Sequence, residues 1–249
     1  LRPYLRTEGL PAAGLAAGEI TGPACALAAG ADFALTWTLS GLAGRAAALF
    51  GLEVVSPKPG DGEVFIDRVE RRGRPEVVCA DGPVGAGNCV PGWITNADDV
   101  SKWGYDGADW RTVVKNGGTG LLVTGDRSWQ DAELSCRFRL NLGEAGAVVN
   151  YQGARRYHAV LFDGEKARLV RQCHGVAVLA AAPCPVGLER PFALKVACRD
   201  GEIVVTVDGK EILRATDRSL CGGGAGFACG LANFAVRAVE ARGRLAEEW

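Results

Sequence analysis

Side chains able to grip a polar ligand are concentrated between positions 150 and 171. Asn150, Tyr151, Gln152, Arg155, Arg156, Tyr157 and His158 crowd around one candidate hairpin, and Arg168 and Arg171 lie on the strand-like run that follows. Sugars and nucleosides are commonly held by an aromatic face together with planar groups such as Arg, Asn and Gln, because stacking and paired hydrogen bonds share the work. Asn150, Gln152, Arg155, Arg156, Tyr157, His158, Arg168 and Arg171 therefore form the candidate ligand-binding set. The same composition also suits an edge hairpin whose charges block sheet-to-sheet association, and residue types alone leave both roles open.

Bond-breaking chemistry has weaker support. Glycoside hydrolysis needs two carboxylates about 5 to 9 Å apart across a cleft, which on a strand means an i, i+2 spacing. Asp131 with Glu133 and Asp163 with Glu165 have that spacing. Asp131, however, opens its strand and Asp163 belongs to the Asp163-Gly164 turn, so neither pair is expected to hydrolyse a substrate. A nucleophilic pair of Cys173 or Cys136 with His158 would need a geometry that spacing does not specify, and no G-x-S-x-G elbow presents a serine. His158 and His174 are expected to be structural. Gly222 to Gly224 and Gly117-Gly118 lack the Lys and Ser/Thr of a phosphate loop and are expected to be turns. Two histidines and nine cysteines without a C-x-x-C pair give no zinc signature. Asp98 and Asp99 in "NADDV" suit a cap or a solvated turn better than a metal site. No catalytic residue, metal or cofactor is expected.

Composition narrows the partners. Lys and Arg number 28 against 29 Asp and Glu, a formal charge of −1, which argues against nucleic acid or an anionic membrane as partner. Hydrophobic residues at 48% and charged residues at 23% describe an ordinary globular chain. The 35 glycines fall between short apolar runs as turn punctuation, which favours an all-β protein. No uninterrupted apolar window is long enough for a membrane helix. Glu8, Glu19 and Asp32 break up the Ala-rich opening, so no targeting segment is read there. The 249-residue chain begins at Leu1 and contains no Met, as expected of a fragment, a processed product or the end of a longer polypeptide. Several cysteines lie inside apolar strand-like runs, so buried, reduced thiols in a cytoplasmic protein are expected. Cys221 with Cys229, or Cys173 with Cys184, stand where a hairpin bridge could form.

These side chains must be positioned by strands. From Leu121 onward, short runs such as "DAELSCRFRLNL", "GAVVNYQ", "RRYHAVLFDG", "PFALKVACRDG" and "EIVVTVDGKEI" are separated by turn signals at a spacing typical of a sandwich. Asp163-Gly164, Asp200-Gly201 and Asp208-Gly209 are hairpin dipeptides, since they accept the positive φ of a tight turn. Earlier, "ADFALTWTLSGLAGRAAALFGLEVVS" suits two strands, with a short helix at "AGRAAALFGL" as the alternative. "GEVFIDRVERRG" alternates as a strand should. The Gly- and Pro-rich stretch from Cys79 to Gly92 marks a boundary. Three segments result: a partial unit over 1–80, a linker and docking segment over 81–118, and a main domain over 119–249. Trp93, Trp103, Trp110 and Trp129 are expected to plug sandwich ends or a domain interface.

The series "SWQDAELSCRFRL", "GEAGAVVNYQGARRYHAVLFDGEKARLVR", "PFALKVACRDGEIVVTVDGKEI" and "GGGAGFACGLANFAVRAVE" resembles the concanavalin-like, laminin-G-type sandwich over residues 119 to 243. A wider likeness takes in "RPYLRT", "LTWTLSG", "GEVFIDRVERRGRPEV", "WITNADDVSKWG" and "KNGGTGLLVTGDRSWQDAELSCRF". Together these are similar to the β-rich region that follows the helical catalytic domain in some bacterial ADP-ribosylglycohydrolase-family proteins. The resemblance implies an all-β chain: a concanavalin-like antiparallel β-sandwich, or jelly roll, preceded by a smaller piece of a galactose-binding-like jelly roll ending at "EVFIDRV". It implies a non-catalytic accessory region, partnered by a catalytic domain of the same polypeptide or by a small glycan or ADP-ribose-like ligand, because the family's acidic metal-binding clusters have no counterpart here. The alternatives are a concanavalin-like glycoside hydrolase or lyase working in the concave face, and a purely structural spacer or dimerisation module.

Overall fold

In the computed structural model the described residues are 1–7, 18–28, 30–39, 47–55, 63–70, 76–80, 90, 92–105 and 108–246. They form strands, turns and irregular segments, with no helix among them. The chain divides into two compact units, Leu1–Gly73 and Arg74–Trp249.

In the first unit β1 (Arg2–Thr7) is flanked by β2 (Gly18–Thr21) and β3 (Ala47–Glu53), both antiparallel to it. Pro3, Leu5 and Thr7 alternate onto the buried face of β1, as a two-residue period requires. Surface ion pairs join Arg2 to Glu53 and Arg6 to Glu19 across the strands. The Ala-rich segment resolves as strand at Ala47–Glu53, leaving no helix there. Residues 63 to 70, expected as the last strand of this unit, pair with nothing in a sheet, and Phe65 within them is 86% exposed. Alternation alone did not suffice, because a strand also needs a neighbour with free backbone groups.

The second unit comprises β4 (Glu76–Ala80), β5 (Ile94–Thr95), β6 (Asp99–Tyr105), β7 (Ala108–Lys115), β8 (Gly120–Thr124), β9 (Trp129–Gly153), β10 (Arg156–Phe162), β11 (Lys166–Cys173), β12 (Val176–Pro183), β13 (Phe192–Arg199), β14 (Glu202–Val207), β15 (Lys210–Thr216) and β16 (Gly224–Leu245). All thirteen belong to one continuous antiparallel network. Strands β5 to β7 lie within the segment expected to be a linker. Its described strands lie in the sheet of the second unit.

The two longest strands, β9 with 25 residues and β16 with 22, pair along their whole length from Gly224 opposite Tyr151 to Leu245 opposite Trp129. This ribbon folds back on itself. The Gly223 N–H donates to the Trp129 carbonyl at 2.7 Å, although those residues lie at opposite ends of the ribbon. The bend falls at Gly143, whose φ is +78°. A Cβ there would stand 1.8 Å from the Leu231 carbonyl oxygen, so only glycine fits.

Folding the ribbon makes two layers. Layer I runs β12-β11-β10-β9-β16-β8-β5 through the second half of β9, and layer II runs β15-β14-β13-β9-β16 through its first half, with β7 and β4 along the far edge of β16. Between them lies a core in which Phe138 has Phe162, Phe192, Phe227 and Phe234 as ring neighbours at 5.5 to 6.5 Å. Layer I is apolar on its other face as well: Leu121, Val123, Val148, Tyr157, Ala159 and Val170 form a second buried cluster. That double burial explains the unbroken apolar run Ala145–Val149, where one buried face would give alternation. The Asp-Gly hairpins form as expected, with positive φ at Asp200, Gly201, Asp208 and Gly209 and at Gly164.

Candidate functional site

Strand β10 is not the edge hairpin that its charges suggested. It lies between β9 and β11, and β12 shields them from the edge. The expected ligand-binding residues are consequently divided among different environments. His158 is 0% exposed, Asn150 2% and Tyr157 7%. His158 shares the inward parity of Val160 and Phe162, whereas Tyr157 faces the second apolar cluster with Tyr151 nearby. Asn150 takes a left-handed conformation, φ +53°, where the β9–β10 register slips, and this turns its amide into the core.

At the open end of the sandwich these groups meet residues from layer II. The Asn150 amide nitrogen stands 3.1 Å from His158 Nδ1 and donates to Cys198 Sγ on β13. His158 Nε2 faces Asp217, just past β15, at 3.7 Å. Arg171 donates to the same carboxylate at 2.9 Å and to Ser219 Oγ at 3.2 Å, and the Ser219 N–H also donates to Asp217. Burial pushes the His158 pKa below the ordinary histidine value although Asp217 pulls the other way. Burial also works to raise the Asp217 carboxyl, but hydrogen bonds from Ser219 and the neighbouring His158 and Arg171 hold it below the usual carboxylate range. A neutral imidazole accepting at Nδ1 keeps its proton on Nε2, toward Asp217.

This arrangement joins layers; it does not present a nucleophile. Cys198 reaches the imidazole only through Asn150, and burial raises its thiol pKa, as it does for Cys136. Cys173 interacts with Arg156. All eight described cysteines are free, so neither hairpin bridge is present; Cys89 lies outside the described residues. Gln152 caps the end from outside, donating to the Cys221 and Gly222 carbonyls at 3.1 and 3.0 Å and holding Arg156 at 3.4 Å. Arg155 is exposed in the turn. Arg168 lies toward the ribbon's bend, paired with Glu144, and does not join Arg171. Trp129 closes the open end against Gly125 and Gly243, Trp93 stacks on Phe227 in the core, and Trp110 carries Arg237 over its ring.

The two carboxylate pairs also separate. Asp163 accepts from the N–H groups of Lys166 and Glu165 at 2.7 and 2.9 Å, a turn-capping role that lowers its pKa. Asp131 and Glu133 instead line a solvent-facing groove on layer II of about 230 Å³, together with Glu76, Lys195, Arg199, Arg242, Gly243 and Arg244. Strand parity explains the gathering. Inward Leu134, Leu194 and Val196 leave Glu133 and Lys195 pointing out, and Glu133 lies opposite Ala197 on one side and Arg242 on the other. Lys195 holds Glu133 at 2.8 Å, and Arg242 is engaged by Glu240 at 2.5 Å and Glu76 at 3.3 Å. The sequence showed only the carboxylates of this groove. Lys195 and Arg199 share one face of "KVACR", but bringing them to Arg242 and Arg244 depends on pairing across more than 40 residues. Among the described residues no group of three or more His, Cys, Asp or Glu is placed to hold a metal, and no helix is long and apolar enough to cross a membrane.

The sequence matches no protein-family model and no curated protein. Solved structures share its fold. The carbohydrate-binding module CBM66 from Bacillus subtilis superimposes with a TM-score of 0.50 at 14% identity, over 60% of this chain and 94% of the module. A Bacillus subtilis protein of unknown function with a galectin-like fold gives 0.47 at 11% identity, covering 62% of this chain and 90% of its own. Alginate lyase A1-II′, of polysaccharide lyase family 7, gives 0.40 at 11% identity, covering 58% and 83%. No comparison connects the chain to an ADP-ribosylglycohydrolase. The likeness to the module carries the fold alone: the chain is an all-β protein built on a concanavalin-like, jelly-roll type of antiparallel sandwich.

Proposed function

We propose that the second unit is a non-catalytic carbohydrate-binding sandwich whose ligand site is the groove on layer II. The observation that carries this is a solvent-open depression of about 230 Å³ whose lining is almost wholly ionisable. Such a surface offers hydrogen-bond partners to hydroxyl groups, while each β9 carboxylate has a cation beside it: Lys195 stands 2.8 Å from Glu133, and Arg244 stands 3.7 Å from Asp131. A hydrolytic pair would need both carboxyls facing a substrate across a cleft, and here a cation stands beside each of them. The fold shared with a protein described as a carbohydrate-binding module supports the same reading by analogy. The open-end set Gln152, Arg155 and Arg156 is the rival location.

Calorimetric titration of the whole chain with a glycan panel tests the proposal. Binding without bond cleavage is expected, with loss on Glu133→Gln and Lys195→Ala but not on Arg156→Ala. Turnover of a glycan that stops in Glu133→Gln would favour the hydrolase or lyase reading, and silence across the panel would favour a spacer. The motif likeness to the region after an ADP-ribosylglycohydrolase domain extends the proposal to an accessory region of such a polypeptide. Sequencing the reading frame upstream of Leu1 for a helical domain with paired acidic ligands tests that extension, and including ADP-ribose in the panel tests the ligand.

A further inference from the structure

We infer that the groove recognises an anionic saccharide, one carrying carboxylate or sulfate groups, and that Arg199 and Arg244 clasp the acid group from opposite sides. The inference rests on the carbohydrate-binding reading of this groove and names its ligand class. Its basis is the unequal commitment of the cations on layer II. Arg214, elsewhere in the layer, is saturated: it meets Glu202 at 2.6 Å and Glu211 at 2.6 and 2.9 Å. Lys195 and Arg242 inside the groove each have a close carboxylate. Arg199 approaches Glu133 no nearer than 3.9 Å, and Arg244 approaches Asp131 no nearer than 3.7 Å. Both distances exceed the roughly 2.7–3.2 Å of an N–H···O bond, so these two guanidinium forks keep their directional bonding capacity. Their side chains are also 72% and 60% exposed.

Their placement makes them a pair. Arg244 lies on β16 opposite Gln130 of β9, and Arg199 ends β13 two residues beyond Ala197, which faces Glu133 of β9 from the other side. One strand therefore separates their stems, a span of about 10 Å at ~4.8 Å per strand. Two long side chains leaning over Asp131 can close that span around one planar acid group, each offering paired N–H donors. Four cations against three carboxylates line the groove, which favours an anion over a neutral ligand. Asp131 and Glu133 remain as acceptors for the hydroxyls of the same sugar, and this distinguishes an acidic saccharide from a bare phosphate or sulfate ion.

The test is calorimetry on the whole chain with three oligosaccharide arms: a polyuronate, a sulfated galactan fragment that carries no uronic acid, and an uncharged glycan panel. Binding in one or both charged arms is expected. Arg199→Gln or Arg244→Gln should weaken it about tenfold or more, since each removes a charge-assisted pair of N–H donors. Arg214→Gln, on the same layer, should leave affinity within about twofold. Which charged arm binds identifies the acid group. A neutral glycan bound as tightly as its charged counterpart, or equal losses in all three variants, would overturn the anion assignment while leaving a carbohydrate site. Absence of binding to every arm would overturn both.

Discussion

His158 provides a direct test of how the open end of the sandwich is held. Its imidazole is wholly buried, with the Asn150 amide at Nδ1, the Asp217 carboxylate 3.7 Å from Nε2, Arg171 on that carboxylate, and Cys198 beyond Asn150. Burial depresses its pKa in the folded state. The unfolded chain takes up a proton at this position near pH 6.5, whereas the folded imidazole resists protonation. Because the unfolded state then binds more protons, stability must fall as the pH drops below about 6.5 and go on falling until the folded-state pKa is reached. One proton contributes at most ~1.4 kcal/mol per pH unit, or roughly 2 kcal/mol between pH 7 and 5. That is an appreciable part of the about 5–15 kcal/mol by which domains are stable. Asp217 acts in the same direction, but its proton enters around pH 4 and below, outside the window. Urea unfolding at pH 7, 6 and 5 should give a steeper loss for the native sequence than for His158→Gln, whose amide does not titrate. Comparing slopes removes whatever the substitution costs at every pH. Parallel slopes would refute the argument, as would a native-state NMR titration in which the His158 imidazole protonates near 6.5.

Three further substitutions or probes follow from the geometry. Gly143→Ala must pay for a left-handed φ and displace the Leu231 carbonyl that lies 1.8 Å from the new Cβ, so a loss of at least about 2 kcal/mol is expected, read as a lowered Tm and weaker near-UV CD. Phe138→Ala empties the centre of the aromatic core and should cost about 3–5 kcal/mol in urea denaturation; a loss below 1 kcal/mol would mean that the layers pack differently. With a disulfide reagent at pH 8, exposed Cys221 should react in the native state, while Cys136, Cys198 and Cys229, the last with its pKa raised to about 11 by burial, should react only on unfolding.

The features that could be read from the sequence are those fixed locally. Asp200-Gly201 and Asp208-Gly209 specify their hairpins through backbone conformation alone, and the strands they join alternate visibly, as in Ile203, Val205 and Val207. Strand continuity was less legible. Gly143 falls between the runs "DAELSCRFRLNL" and "GAVVNYQ", which read as separate strands, yet β9 runs through it, because a glycine that bends a ribbon and one that reverses a chain look alike without knowledge of the partner strand. The same limit applies to residues 94–115. Their loop-like surroundings suggested a linker, but β7 pairs with β16, more than 100 residues further along. Residues 63–70 fail in the opposite sense, alternating without a sheet to enter.

The division of candidate site residues has one physical cause. A side chain's type states what it can bind, but strand register decides whether a protein partner already binds it. Asn150, Arg171 and His158 are well equipped to meet a sugar, and each is consumed by a layer-crossing contact: Asn150 with Cys198, Arg171 with Asp217, and His158 beside both Asn150 and Asp217. Burying such groups is tolerable only where partners replace water, and the layer-crossing partners lie 46 to 59 positions away in sequence. Arg199 and Arg244 represent the opposite outcome. They resemble any solvated charge on a strand, and the same rule leaves them with carboxylates too distant for a hydrogen bond. A ligand site in a free protein must keep some of its hydrogen-bonding capacity unspent. On layer II of this sandwich, that capacity is held by the two arginines whose partners stop short.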